Sequence, residues 1–293
     1  MAAPLCLLTV HAHPDDESSK GAGTVARYHA EGVRTVLVCC TGGEEGDILN
    51  PAMDRDDVKA DLAQVRREEL DRAAAIIGYD EVVMLGYRDS GMPESEANAR
   101  PEAFANADLD EAVGRLVAIL RRERPQVVVT YADDQQGYPH PDHLRVHDIT
   151  HPAVERAADP SWYPEAGPPW QVAKVYYSIW SKKRAELTHA KYLELGLESP
   201  FSAEWFDRPW QDERITTSID IAGYGHVRLD ALLAHATQVD PNSPFWFGLP
   251  RDVSESIHPY DDYVLAWSAD EVETETPEDD LFAGVREQAW SGT

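Results

Sequence analysis

Cysteine is scarce in this chain. Its 293 residues hold three, Cys6, Cys39 and Cys40, with no C-x-x-C pair, so neither a zinc knuckle nor a thioredoxin-type redox site is indicated. All three fall in strand-like runs and are expected to be buried free thiols. Basic charge is short as well: 26 Lys+Arg stand against 53 Asp+Glu, a formal net charge of −27. That acid excess argues against broad contact with nucleic acid or an anionic membrane. No apolar stretch approaches the roughly 18 residues of a membrane span. The short apolar run at 5–10 has no basic residue before it and leads straight into His11, unlike an export signal. The chain is therefore expected to be soluble and cytoplasmic. A G-x-G-x-x-G turn is missing after this first run; Gly21-Ala22-Gly23 comes too late and lacks the third glycine. A dinucleotide cofactor is disfavoured.

A hydrophobic share of 43% is enough for a sizeable core. The first half alternates β-rich runs with helical patterns: strands at 5–10, 33–40, 82–85 and 126–131, helices at 17–31, 56–77 and 109–122. Such alternation predicts an α/β fold, a Rossmann-like, mostly parallel sheet with helices on both faces. The second half is less regular. A loop is expected at 159–170, strands at 172–180 and 214–221, and helices at 182–195 and 224–239. With no repeat or flexible linker, one domain over 1–293 is expected: a metal-site core at 1–158 and a C-terminal elaboration at 159–293 forming part of the substrate pocket. The acid-rich stretch 270–280 reads as a solvated tail or surface strap.

The first strand runs into His11-Ala12-His13-Pro14-Asp15-Asp16-Glu17, and the strand ending at Tyr131 is followed by Tyr138-Pro139-His140-Pro141-Asp142-His143. Parallel α/β sheets bind ligands at the carboxyl ends of their strands, so the two clusters can converge. His13, Asp16 and His143 then form a two-His, one-carboxylate set with a position open for water. Zinc accepts that set, and so does Fe(II). Asp15 is placed to act as general base on the water, or more simply as a helix N-cap. His140 and Asp142 form an orienting pair, with His140 and Tyr138 available to an oxyanion or a leaving amine. His11 reads as a neighbour of the ligands and His147 as structural.

A-H-P-D-D-E at 12–17 and H-P-D-H at 140–143 resemble the two signature motifs of the PIG-L/LmbE-like zinc N-deacetylases. The stretches 11–21, 41–54, 234–242 and 281–284 are similar to the branch of that family that acts on mycothiol S-conjugates. The resemblance implies one zinc ion held by His13, Asp16 and His143, with Asp15 as base. It further implies that His140 and Tyr138 assist the carbonyl oxygen and the amine, with Asp142 as partner of His140. It places Arg66 and Asp89 at positions that bind sugar hydroxyls. Lys20, one helical turn past Asp16, marks the amidase pattern and would reach toward the acylcysteine. The implied substrate is a small thiol–sugar conjugate, cut at the amide joining glucosaminyl-inositol to an N-acylcysteine. The rival readings are an amino-sugar deacetylase, a related hydrolase of natural-product assembly, a non-haem iron oxygenase, and a binding protein without chemistry. The last two fit poorly with the α/β alternation and with a water-activating Asp beside the ligands.

Overall fold

The computed structural model describes residues 4–134, 137–270 and 277–286. In chain order the strands are β1 (Cys6–His11), β2 (Arg34–Thr41), β3 (Glu81–Tyr87), β4 (Val127–Thr130), β5 (Lys174–Ile179), β6 (Thr217–Asp220) and β7 (Tyr260–Ser268). Helices α1 (Asp16–Ser19) and α2 (Ala22–Ala30) follow β1; α3 (Asp56–Ala60) and α4 (Leu62–Ile77) follow β2. Then come α5 (Leu109–Glu123), α6 (Pro141–Ala158), α7 (Lys182–Glu194), α8 (Ala203–Phe206), α9 (Gly225–Ala234), α10 (Pro244–Phe247) and α11 (Arg251–Ser256). The seven strands form one sheet in the order β3-β2-β1-β4-β5-β7-β6. From β3 to β5 every pairing is parallel, with Leu8 between Val36 and Val128. The fold is α/β and mostly parallel; β7 alone runs against its neighbours β5 and β6.

Alternate side chains of each strand point to opposite faces, and both faces are covered. Leu8, Val10, Val36 and Val128 pack on Leu116 of α5 and Ile149 of α6. Leu7, Val127 and Val129 meet Val25 of α2 and Val227 of α9. Each such side chain, fully buried, contributes about 1.5–3 kcal/mol. From β1 the chain proceeds to β2 and β3 on one side, and returns to add β4 on the other. The crevice at the ends of β1 and β4 is the point where the strand order reverses, the usual ligand site of open α/β sheets.

Three differences from the sequence expectations have physical causes. The expected helix at 17–31 is broken at Gly21, whose φ is +89° and where a Cβ would lie 2.7 Å from the Tyr263 hydroxyl. Strand β7 was not anticipated, because it opens on Asp261 and Asp262. Both are buried, Asp261 against Arg184 and Arg228, Asp262 against His258 and Ser181. The acidic stretch is not wholly solvated either. Residues 271–276 lie outside the described residues, but Glu278 is buried and accepts from Lys174 Nζ at 2.5 Å and the Tyr176 hydroxyl at 2.6 Å. No helix among the described residues is long and apolar enough to cross a membrane.

Candidate active site

The turn after β1 is held by its own side chains. The backbone N–H of His13 donates to Asp16 Oδ2 at 3.0 Å. Asp15 has φ 112°, a left-handed backbone that non-glycine residues rarely adopt. Two contacts hold it there: its N–H donates to Glu17 Oε2 at 2.9 Å, and Arg66 Nη2 donates to its carboxylate at 3.2 Å. Such strain persists only where the surroundings over-determine it. Asp15 does occupy the N-cap position of α1, but its side chain makes no capping bond. That side chain is 31% exposed. Burial, helped by the charges of Asp16 and Glu17, pushes its pKa up against the pull of Arg66 and His235.

The second cluster starts α6. Pro141 fits the first helical position, and His140, just before it, accepts at Nδ1 from the Asp142 backbone N–H at 3.2 Å. His143, one turn on, brings Nε2 to 3.4 Å from Asp16 Oδ2, and His13 brings Nδ1 to 3.4 Å from the same oxygen. His13, Asp16 and His143 each offer a donor atom, all within 4.8 Å of one another. The chemistry of these donors fits a divalent ion. Burial pushes the His143 pKa down to about 4, leaving the neutral imidazole that a metal needs. His143 Nδ1 is buried without a partner. Burial would also push His13 down, but Asp142, Asp16 and Asp89 outweigh it and hold its pKa well above the ordinary value. That crowding of carboxylates is what a cation relieves. Asp16 is raised by burial, yet Lys20, His143 and His13 together hold it well below the carboxylate range.

The structure redistributes several of the partners expected from sequence. The carboxylate of Asp142 does not orient His140; it accepts from His13 Nε2 at 3.1 Å and from the Ser90 backbone N–H at 3.0 Å. An imidazole that faces a metal with one nitrogen and a carboxylate with the other is a common arrangement, and it fixes the tautomer. Arg66 is buried, and its guanidinium is engaged by Gly43 O, Pro14 O and Asp15. Asp89 is buried beside His13, at 3.6 Å, and its oxygens accept from the backbone of Glu45 and Gly91. His13, Asp89 and His140 form a second group of donor atoms within 4.8 Å. Lys20 Nζ lies 2.5 Å from Asp16 Oδ1. Tyr138 stays 53% exposed at the mouth, its ring 5.4 Å from that of His143. His11 sits behind Tyr131, and His147 bonds the Tyr131 carbonyl; neither joins the donor group.

Two features escaped the sequence reading. Tyr131 donates its hydroxyl to Asp16 Oδ2 at 2.6 Å, accepts from Ala12 N–H at 3.0 Å, and stacks on His143 at 4.3 Å. Its place at the end of β4, just before the second His cluster, was the available signal. Glu17 and His235, both fully buried, pair at 2.6 Å behind Asp15. Beside the donors opens a cavity of about 490 Å³, bounded by Lys20, Tyr131, Tyr138 and His143 on one side and aromatic residues of the second half on the other.

The donor cluster, whose chemistry is compatible with a metal, and the strained Asp15 beside it in the chain stand at the strand ends where open α/β folds carry their active sites. The chain belongs to the PIG-L family, GlcNAc-PI de-N-acetylase, which matches residues 8–154. Among its relatives is the mycothiol S-conjugate amidase of Streptomyces coelicolor, 46% identical over 99% of this chain and 100% of that protein. Another is the 1D-myo-inositol 2-acetamido-2-deoxy-alpha-D-glucopyranoside deacetylase of Streptomyces avermitilis, 43% identical over 95% of this chain and 97% of the relative. The solved N,N'-diacetylchitobiose deacetylase of Pyrococcus horikoshii shares the fold, with a TM-score of 0.59 at 18% identity over 88% of this chain and 82% of that one.

Proposed function

We propose that this chain is a zinc amidase that hydrolyses mycothiol S-conjugates to a mercapturic acid and glucosaminyl-inositol. The observation that carries the reading is the group His13, Asp16 and His143, whose donor atoms lie within 4.8 Å of one another, with Asp15 next to Asp16 in the chain. Two imidazoles and one carboxylate suit zinc and leave a position for water; the same set admits Fe(II). When bound, the ion supplies a Lewis acid and an acidified water. Asp15, its pKa raised, takes the proton of the attacking water as the oxygen bonds the amide carbon. His140 accepts at Nδ1, so its neutral ring carries its proton on Nε2, and that N–H and the Tyr138 hydroxyl donate to the carbonyl oxygen as it gains charge. The C–N bond then breaks. The proton held by Asp15 passes to the leaving nitrogen, giving one carboxylic acid and one amine. Asp142 supports His13 throughout.

The amidase relative, 46% identical over 99% of this chain, supports this reading. A second reading, an N-acetylglucosaminyl-inositol deacetylase, is favoured by relatives at 40–43%. Primary-amine release from a panel of mycothiol conjugates and the N-acetyl sugar decides between them. Faster turnover of the conjugates supports the proposal, and turnover of the N-acetyl sugar alone overturns it. In the same assay His13→Ala should lose metal and activity together; full metal occupancy in that variant would remove His13 from the ligand set.

A further inference from the structure

We propose that the cavity beside the donor cluster is a subsite for a planar aromatic group carried on the substrate's sulfur. Its wall is Trp180, Trp205, Trp210, Phe245 and Trp246, with Arg208 at the rim. The assignment of the sulfur side rests on the amidase reading above. Size is the first argument. Cavities of roughly 300–1,000 Å³ hold drug-sized molecules, so about 490 Å³ is far more than an acetyl group fills. Position is the second. Lys20, Tyr131, Tyr138 and His143 line the same cavity, so a group bonded to one side of the scissile amide enters it directly. Arg66 and Asp89 do not line it, which leaves the hydroxyl-rich half of the substrate to another side of the donors.

The wall has the chemistry of a ring-binding site. All five aromatic residues are half-buried, outside the packed core. Trp205 and Trp210 lie 4.9 Å apart at 61°, and Trp180 stacks on Phe245 at 6.0 Å while meeting Trp246 edge-on at 5.7 Å. These are favourable aromatic geometries, so the wall is held in shape before anything binds. Converging aromatic side chains with a few polar groups among them are the usual lining of a small-molecule site. Charge narrows the ligand. In a chain of net charge −27 the cavity carries Lys20 and Arg208 against Asp134. The Arg208 guanidinium lies 4.8 Å over Trp205 and 5.8 Å over Trp210, and donates to Gly137 O beside Tyr138. A cation there attracts the face of a further ring and disfavours positively charged groups. The Lys20 ammonium is already bound to Asp16, so selectivity for the sulfur substituent falls to the wall.

Two measurements test this on the full-length, metal-loaded enzyme. The first is quenching of tryptophan fluorescence by N-acetyl-S-benzylcysteine, N-acetyl-S-methylcysteine and glucosaminyl-inositol. The benzyl compound should bind about tenfold tighter than the methyl compound, and Trp205→Ala or Trp210→Ala should remove that difference. The second is the ratio of kcat/KM for S-benzyl over S-methyl mycothiol. It should stand near tenfold, fall toward one in either variant, and recover in part in Trp205→Phe. Equal affinity for the two cysteine derivatives overturns the subsite. So does quenching by the sugar half that the two variants abolish. If neither conjugate is cleaved, the amidase reading fails, and the fluorescence titration alone decides the subsite.

Discussion

The donor cluster and the aromatic cavity meet at Tyr138 and His143, yet opposite kinds of chain build them. The donors sit in the turn after β1 and at the starts of α1 and α6, the helices that follow β1 and β4 at one crevice. The cavity wall comes from the end of β5, from α8 and α10, and from the turns around them. The family match at 8–154 contains every donor and none of the wall aromatics. All eight tryptophans fall after residue 158, the first at Trp162. On the proposed reading, the regular half sets which bond is cut, while the irregular half sets what is attached to it. Fold alone does not fix the substrate.

Four variants break or sharpen that division. Asp15→Asn should keep the metal and lose about 10²–10⁴-fold in kcat, the usual range for a general base. Burial raises the Asp15 pKa, and the base acts only when deprotonated. The wild-type rate should therefore fall with acid already above the ordinary carboxylate range, and that limb should vanish in Asp15→Asn. Metal loss in this variant would instead make Asp15 a ligand. Glu278→Gln tests the other region. The Lys174–Glu278 pair is 0% and 1% exposed, and breaking such a pair costs about 3–5 kcal/mol. The urea midpoint should drop accordingly, with tryptophan fluorescence changing before metal is released. Simultaneous loss of both would mean the two regions unfold as one.

Asp142→Asn separates the two partners available to that carboxylate. Acting through His13, it should weaken metal affinity by about 10–100-fold, as supporting carboxylates do. Unchanged affinity with a lowered kcat would return Asp142 to His140. The smallest effect is expected from Lys20→Met. With its ammonium on Asp16, the loss should be roughly tenfold and equal for the conjugate and the N-acetyl sugar. A loss confined to the conjugate would move selectivity from the wall back to the donor side.

Much of the first half was legible in the sequence. The strands β1, β2 and β4 are runs buried on both faces, one His-Pro-Asp cluster follows β1 directly and the other lies in the segment after β4, so periodicity and position after a strand sufficed. What failed depended on tertiary partners. Asp142 stands two residues from His140, and proximity in sequence suggested that pair; the crossing of α6 over the end of β1 gives it to His13 instead. Arg66 is not the surface charge that a helix-borne arginine often is: the carbonyls of Pro14 and Gly43 accept from its buried guanidinium. Strand β7 was hidden because buried acids with distant arginines look, in sequence, like a solvated turn. The wall aromatics were visible only as composition, since short helices and turns carry no period that places them on one surface.

Tyr131 joins the two strand ends: one hydroxyl spans Asp16 and the Ala12 amide, and one ring face rests on His143. The donor atoms are thus moulded before an ion arrives. On the proposed reading, an ion with a different preferred size or coordination shape would have to shift the ends of β1 and β4, two central strands of the seven, or accept poorly directed bonds. Discrimination among metals would in this sense be a mechanical property of the sheet, and loosening the mould at Tyr131, as in Tyr131→Phe, should make the chain less exacting about the ion it takes up.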